Sequence, residues 1–166
     1  MSNLPAPTGR ADLKVVHSSS REYVTVRLAG QLLGIPVMVV HDVLSAQKLT
    51  RIPLAPSWVA GVLNLRGRIV TAIDLRQRLG FKEKDSDTKR RDMSVVVDHH
   101  GESYSLQIDS VGEVLALDES AIEKNPVTLD QRWREISRGI FRLDEELLVI
   151  VNVDKLLDFD TSVVAA

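Results

Sequence analysis

The feature that most restricts the fold of this chain is a run of alternating side chains interrupted by an Arg-Gly pair. In the segment GVLNLRGRIVTAID, alternation puts Val62, Asn64 and Arg66 on one face and Leu63 and Leu65 on the other. A period of two is the pattern of a half-buried strand, and a glycine at the break favours a tight turn. The segment therefore predicts a β-hairpin that turns at the Arg-Gly pair, with two polar side chains on one face.

Strand patterns of the same kind cover most of the chain. Val24, Val26 and Leu28 alternate with Thr25 and Arg27, and the later runs MSVVVDHHGESYSLQID, SVGEVLAL and GIFRLDEELLVIVNV predict further strands. The segments IVTAIDLRQRLG and LLVIVNVDKLLD also resemble each other, because each passes from a buried strand through a capping Asp or Asn into a short helix. We therefore expect a mainly β protein built from two similar halves of about five short strands each.

One segment, VMVVHDVL, fits two structures. Its β-branched residues favour a strand, whereas Val37, Val40, His41 and Leu44 recur at helical spacing. Periodicity alone leaves both structures open.

Composition and local charge divide the chain into segments. The first residues are rich in Ser, Pro and Gly without periodicity, and nine charges of both signs occupy KEKDSDTKRRD. We expect a flexible leader (1–20), one domain (21–158) with lobes at roughly 21–81 and 93–158, a charged linker (82–92) and a C-terminal tail (159–166). No stretch approaches the roughly 18 apolar residues of a membrane span, so the sequence predicts a cytoplasmic protein that does not insert into a membrane.

Charge and residue types argue against several function classes. The formal net charge is −2, and the acids around the Lys-Arg-Arg run cancel most of its field, so nucleic acid is not an expected partner. With no cysteine, the chain has neither disulfides nor thiolate chemistry. Because GxSxG, Walker, GxGxxG and HExxH motifs are also missing, we expect a binding module without cofactor rather than an enzyme.

The remaining polar and aromatic candidates have simple structural interpretations. His99 and His100 with Asp98 are the best metal ligands in the sequence, but neighbours on a strand point to opposite faces, and we expect no metal. Asp98 and Asp109 could form an acid/base pair, although turn formation at strand ends explains both better. Trp58 and Trp133 could anchor a partner, but core filling is the simpler interpretation.

Three longer segments give the chain a family resemblance. TRIPLAPSWVAGVLNLRGRIVTAIDLRQRLG, VVVDHHGESYSLQIDSVGEVLAL and GIFRLDEELLVIVNVDKLL resemble, in this order, the CheW family of bacterial chemotaxis coupling proteins. The resemblance implies two side-by-side five-stranded SH3-like β-barrels, with a hydrophobic groove between them and a few short helices. It also implies that VMVVHDVL is a short helix of the first half.

The family resemblance further implies a function and partners. Such proteins are non-enzymatic adaptors that couple methyl-accepting chemoreceptors to the CheA histidine kinase in membrane-associated arrays. The expected partners are the regulatory domain of CheA and the cytoplasmic tip of a chemoreceptor, with weak self-association into rings as a further contact. A different class, a small β-barrel that binds an oligonucleotide or a sugar, stays open, since such barrels also exist.

Carried over by position, the resemblance assigns partner-binding residues. Apolar groove positions fall on Val40, Val43 and Val114, the acidic position falls on Asp42, and the hairpin supplies Asn64 and Arg66. The resemblance places Arg66 near Asp42 at the end of the first-half helix, so we expect an ion pair at the groove edge. On general grounds Arg66 could also be a solvated turn residue.

The sequence departs from the family pattern at a few positions. Asp42 stands where Glu is usual, Thr71 where Pro is usual, Ser105 where Gly is common and Gln107 where an apolar residue is expected. We expect these changes to affect the choice of partner more than the fold.

Overall fold

A computed structural model describes residues 20–81 and 93–158 of the 166-residue chain. The predicted leader, apart from Ser20, lies outside the described residues, as do the charged linker 82–92 and the tail 159–166. Ser20 already belongs to the first strand. None of the helices in the described parts of the chain is long and apolar enough to cross a membrane.

Ten strands and three short α-helices make up the described chain. The strands are β1 (Ser20–Leu28), β2 (Gln31–Pro36), β3 (Val40–Ser45), β4 (Val59–Leu65), β5 (Arg68–Asp74), β6 (Met93–His99), β7 (Glu102–Ile108), β8 (Ser110–Asp118), β9 (Ser137–Arg142) and β10 (Leu147–Val151). The helices are α1 (Leu75–Leu79), α2 (Gln131–Arg134) and α3 (Val153–Leu156), with single 3₁₀ turns at Val37–Val39 and Glu119–Ala121. The predicted mainly β class is confirmed.

Three hairpins turn through two residues that both have positive φ. The pairs are Ala29–Gly30 (51° and 83°), Arg66–Gly67 (54° and 86°) and His100–Gly101 (51° and 82°). These angles define type I′ turns, whose twist matches that of the flanking strands. The Arg-Gly break therefore forms the predicted turn, but Arg66 lies in the turn itself and not on the face of a strand.

The two sheets do not follow the two halves of the sequence. One sheet has the order β8-β1-β2-β10-β9 and the other β3-β6-β7-β5-β4. Each therefore combines the first two strands of one half with the last three of the other. The prediction of one lobe over 21–81 and another over 93–158 is wrong in this respect, because β2 pairs in parallel with β10 and β5 with β7. The predicted similarity of the halves holds, since both run through the same order of five strands and a helix.

Both sheets curl until their edges meet. Thr50, beyond β3, exchanges two backbone hydrogen bonds with Val62 of β4, at 2.9 and 2.8 Å. Glu123 does the same with Ile140 on the other sheet, at 2.8 and 2.9 Å. A glycine makes each approach feasible: a Cβ at Gly61 would lie 2.6 Å from the carbonyl oxygen of Thr50. These contacts close each five-stranded sheet on itself, as expected of a small barrel.

The segment VMVVHDVL is not the short helix that the family resemblance implied. It contains one 3₁₀ turn, Val37–Val39, and then becomes β3, which pairs antiparallel with β6. Its β-branched residues suit a strand, and β6 offers a row of backbone partners, so the tertiary pairing decides against the helical spacing.

The core has three parts. A large shared cluster takes buried residues from both sheets, among them Val26 and Ile35 from one and Val95 and Leu106 from the other. Two smaller clusters lie within the individual sheets, around Leu148 and around Val70. Trp133 is buried in the shared cluster and Trp58 packs against it, which confirms core filling for both tryptophans. The two sheets are thus joined by continuous apolar packing.

Candidate functional site

Three of the predicted partner-binding residues lie on β3, an edge strand of its sheet. Val40 packs against the shared core, whereas 39% of Val43 is exposed. A bulge between Val40 and Asp42 shifts the pairing with β6, but exposure still alternates along the strand, with Val40 and Asp42 half-buried and Val43 exposed. Val43 is therefore available to a partner, and Val40 is turned mainly towards the protein interior.

Val114, the remaining predicted apolar contact, lies on the other sheet. It belongs to β8, also an edge strand, and pairs in register with Val24. About half of the residue is exposed (52%). Val43 and Val114 thus place exposed apolar groups on edge strands of two different sheets, whose cores are continuous beneath them.

Arg66 and Asp42 form the predicted ion pair. Arg66 Nη1 lies 3.0 Å from Asp42 Oδ2, and the side chains are 72% and 23% exposed. The backbone N–H of Val43 donates to Asp42 Oδ1 at 2.9 Å, which orients the carboxylate. Asp42 is in a strand and not at a helix end, so the pair was predicted correctly but on the wrong element.

The ion pair has a structural consequence that the sequence did not indicate. Asp42 is on β3 and Arg66 follows β4, and these two strands are the opposite edges of one sheet. The pair therefore links the same two sides of the sheet that the Thr50–Val62 hydrogen bonds join. Because Arg66 is mostly exposed, its remaining N–H donors face solvent, and the guanidinium makes a single ion contact with the carboxylate of Asp42.

Asn64 supports the turn that presents Arg66. Its Oδ1 accepts a hydrogen bond from the backbone N–H of Gly67 at 2.9 Å, across the turn. Asn64 thus holds the left-handed conformation of the two turn residues. The polar pair on the hairpin has separate roles, since Asn64 stabilises the turn and Arg66 reaches across the barrel edge.

Three of the four departures from the family pattern, Thr71, Ser105 and Gln107, lie in the interior of the second sheet, whereas Asp42 is on the edge strand β3. Thr71 of β5 pairs in register with Tyr104, next to Ser105 of β7, which is buried. Ser105 and Gln107 line a cavity of about 60 Å³ with Met93 and Ser94 of β6. These residues are on central strands, away from the exposed apolar groups of the edge strands.

A buried ion pair that the sequence analysis missed ties α1 to the other sheet. Arg76 makes a forked contact with Asp109, with Nε 3.3 Å from Oδ1 and Nη2 2.7 Å from Oδ2. The side chains are only 5% and 17% exposed. Asp109 Oδ2 also accepts from the backbone N–H of Ala29 at 3.0 Å. Asp109 stands at a strand end, as predicted, but its carboxylate links three segments of the chain.

His99, His100 and Asp154 form a cluster of possible metal ligands. His99 Nδ1 and His100 Nε2 lie 3.4 and 3.8 Å from Asp154 Oδ1. The two imidazole rings stack with centroids 3.9 Å apart. Contrary to the prediction from strand alternation, His99 and His100 do not point to opposite faces, because His100 has left the strand and adopts a positive φ in the turn. Burial and the neighbouring His100 lower the pKa of His99 below its usual value, so its imidazole tends to be neutral.

Comparison with known proteins agrees with this architecture. The probable chemotaxis protein CheW of Rhizobium etli is 26% identical over 144 residues, which are 87% of this chain and 92% of that protein. The chemotaxis protein CheW of Klebsiella aerogenes is 28% identical over 137 residues, which are 82% of this chain and 81% of that protein.

A solved structure and a family model match as well. The crystal structure of the scaffolding protein TtCheW from Thermoanaerobacter tengcongensis superposes with a TM-score of 0.73 at 31% identity, covering 84% of this chain and 94% of that one. The family model of the CheW-like domain matches residues 22–160. With two closed five-stranded sheets and a match over most of its length, the chain belongs to the CheW-like domain family.

Proposed function

We propose that this protein is a non-enzymatic adaptor that couples methyl-accepting chemoreceptors to the CheA histidine kinase in a chemosensory array. The observation that carries the proposal is the match to the CheW-like domain over residues 22–160. Relatives named as chemotaxis protein CheW and a solved scaffolding protein support it over nearly their full lengths. The protein acts in the cytoplasm, where it is recruited to membrane-associated receptor arrays by its partners.

The kinase contact is proposed to involve the regulatory domain of CheA and the barrel edges. Isothermal titration calorimetry of the whole protein with that isolated domain tests this contact. We expect a dissociation constant in the micromolar range or tighter, about −8 kcal/mol. An absence of heat at high micromolar concentrations of both proteins would contradict it.

The receptor contact is proposed to use exposed apolar groups on two edge strands. Val43 and Val114 offer this surface to the helical hairpin tip of a receptor, with Val40 supporting it from beneath. The substitution Val43→Lys should weaken receptor binding by about 2 to 4 kcal/mol, because it places an ammonium group against apolar surface.

Co-sedimentation with receptor-containing membranes measures the effect of Val43→Lys. Val127→Lys is a matched control, because Val127 is also an exposed valine (90%) and lies outside the proposed surface. Equal co-sedimentation of wild type and Val43→Lys would show that the receptor binds elsewhere.

The ion pair between Arg66 and Asp42 is proposed to orient Arg66 towards a partner. In an array reconstituted from receptor, kinase and this protein, Arg66→Ala and Asp42→Ala should each reduce kinase autophosphorylation. The double variant should lose little more than the worse single variant, as expected of a coupled pair. Strictly additive losses would refute a joint role.

The alternative of an oligonucleotide- or sugar-binding barrel receives little support. Such a site needs exposed aromatic side chains in a suitable groove. All the tryptophans, tyrosines and phenylalanines of the described residues are buried or half-buried. A salt-dependent shift with single-stranded DNA would reverse this assessment.

A further inference from the structure

The cluster at the β6–β7 turn and α3 is independent of the proposed partner contacts. His99 ends β6, His100 is the first residue of the turn, and Asp154 is the second residue of α3. Helix α3 follows β10, which belongs to the other sheet. The three side chains therefore come from both sheets and meet at the junction between them.

The two distances from the histidine nitrogens to Asp154 are close to the separation of ligand atoms around a small tetrahedral ion. Ligand atoms about 2.1 Å from such an ion lie about 3.4 Å from one another. The two contacts to Asp154 Oδ1 are 3.4 and 3.8 Å, and all three donor atoms lie within 4.8 Å of one another. Rotation of the two exposed side chains, His100 and Asp154, can bring the three atoms closer to one ion.

The donor types select the class of ion. Two imidazole nitrogens and one carboxylate oxygen suit Zn²⁺ and related transition ions, whereas Mg²⁺ and Ca²⁺ prefer oxygen ligands.

The surroundings leave room for the ion and for a water ligand. The cluster lines a cavity of about 330 Å³, with the acids Glu102 and Asp158 also at its wall. The side chains of His100 and Asp154 are 79% and 80% exposed, so they can adjust at little cost. The side chain of His99 is only 13% exposed, and its surroundings restrict it. One largely buried imidazole and two adjustable ligands give a three-ligand site with an open fourth position.

We propose that His99 Nδ1, His100 Nε2 and Asp154 form a binding site for a divalent transition ion such as Zn²⁺. The bound ion joins the β6–β7 turn of one sheet to the helix that follows the last strand of the other. The ion adds a link at the junction of the two barrels to the one that the shared core already makes, and its occupancy depends on metal concentration.

Calorimetric titration of the metal-free full chain with ZnCl₂ in a non-chelating buffer at pH 7.5 tests the site. We expect one ion per chain with a dissociation constant in the micromolar range. His100→Asn and Asp154→Asn should each weaken binding at least tenfold, because each removes a direct ligand and even the loss of a residue that supports a ligand costs about tenfold or more. Both residues are exposed, so both variants should fold.

His41→Asn is the matched control. His41 also lies near a carboxylate, with Nδ1 3.6 Å from Asp98 Oδ2, but outside the cluster. Its substitution should leave zinc affinity unchanged. Zinc should also raise the melting temperature of wild type and His41→Asn more than that of Asp154→Asn. Millimolar affinity in wild type, or equal affinity in all four proteins, would overturn the proposal.

Discussion

Two junctions between the sheets occupy equivalent positions and differ in chemistry. At the first, α1 meets the β1–β2 turn through Arg76 and Asp109, and at the second, α3 meets the β6–β7 turn through Asp154 and two histidines. Arg76 and Asp154 are both second residues of their helices, after the caps Asp74 and Asn152. One position in the repeated half thus carries a cation in one copy and an anion in the other.

The junctions also differ in burial. The side chain of Arg76 is 5% exposed, whereas that of Asp154 is 80% exposed and borders a cavity. A buried, forked Arg–carboxylate contact is a permanent part of the fold, because separating it leaves a charge in a poorly solvated site. An open histidine–carboxylate cluster can respond to protons and ions. A repeated fold can thus keep one junction for stability while its counterpart stays adjustable.

The largest expected effect comes from breaking the first junction. Arg76→Ala removes the forked guanidinium contact to the largely buried carboxylate of Asp109, and should lower the free energy of unfolding by about 3 kcal/mol. Urea denaturation monitored by tryptophan fluorescence measures this change. Arg142→Ala, which removes an exposed pair with Glu123, should have little effect. Similar losses of stability in the two variants would mean that the buried ion pair contributes no more to stability than the exposed one.

A smaller effect is expected from protonating the second junction. The folded-state pKa of His99 is lowered first by burial and then by His100, with Asp154 and Asp158 acting in the opposite direction. The unfolded chain therefore binds the proton more readily. The contribution of His99 to stability is present above its ordinary pKa of about 6.5 and is lost as the pH falls through the lowered value.

Urea unfolding between pH 7.5 and 5 measures this loss. The free energy of unfolding of wild type should fall more steeply over that interval than that of His99→Gln, measured in a metal-free buffer. Parallel curves for the two proteins would show that His99 does not titrate differently in the folded state.

The smallest effect on the free energy of unfolding is expected at Asp154, the residue equivalent to Arg76. Asp154→Ala in metal-free buffer should change the free energy of unfolding by no more than about 0.5 kcal/mol, as is usual for exposed positions. Thermal and urea unfolding of Asp154→Ala, measured alongside Arg76→Ala, compares the two copies of this repeated position directly. A loss as large as that of Arg76→Ala would show that both junctions are structural.

The parts of the fold that depend on neighbouring residues could be predicted from the sequence. The Arg-Gly turn follows from local turn chemistry, and the caps Asp74 and Asn152 precede their helices as expected. The rule of alternation failed for His99 and His100, because it holds only within a strand and His100 lies in a turn.

Contacts between distant residues could not be predicted in this way. The Arg76–Asp109 pair and the combination of strands from both halves depend on tertiary pairing, which leaves no periodic signal in the sequence. The ion pair of Arg66 with Asp42 was predicted only through the family resemblance, and the helix assigned to Asp42 from the same source was wrong.

The combination of strands from both halves also bears on how the chain folds during synthesis. Leu33 of β2 pairs with Val149 of β10, so the first hairpin on the ribosome has no parallel neighbour until almost all described residues have been translated. Such distant pairings slow folding, because a long loop must close before the contact forms. Until then, the open side of β2 is a target for chaperones and for misassembly with another nascent chain.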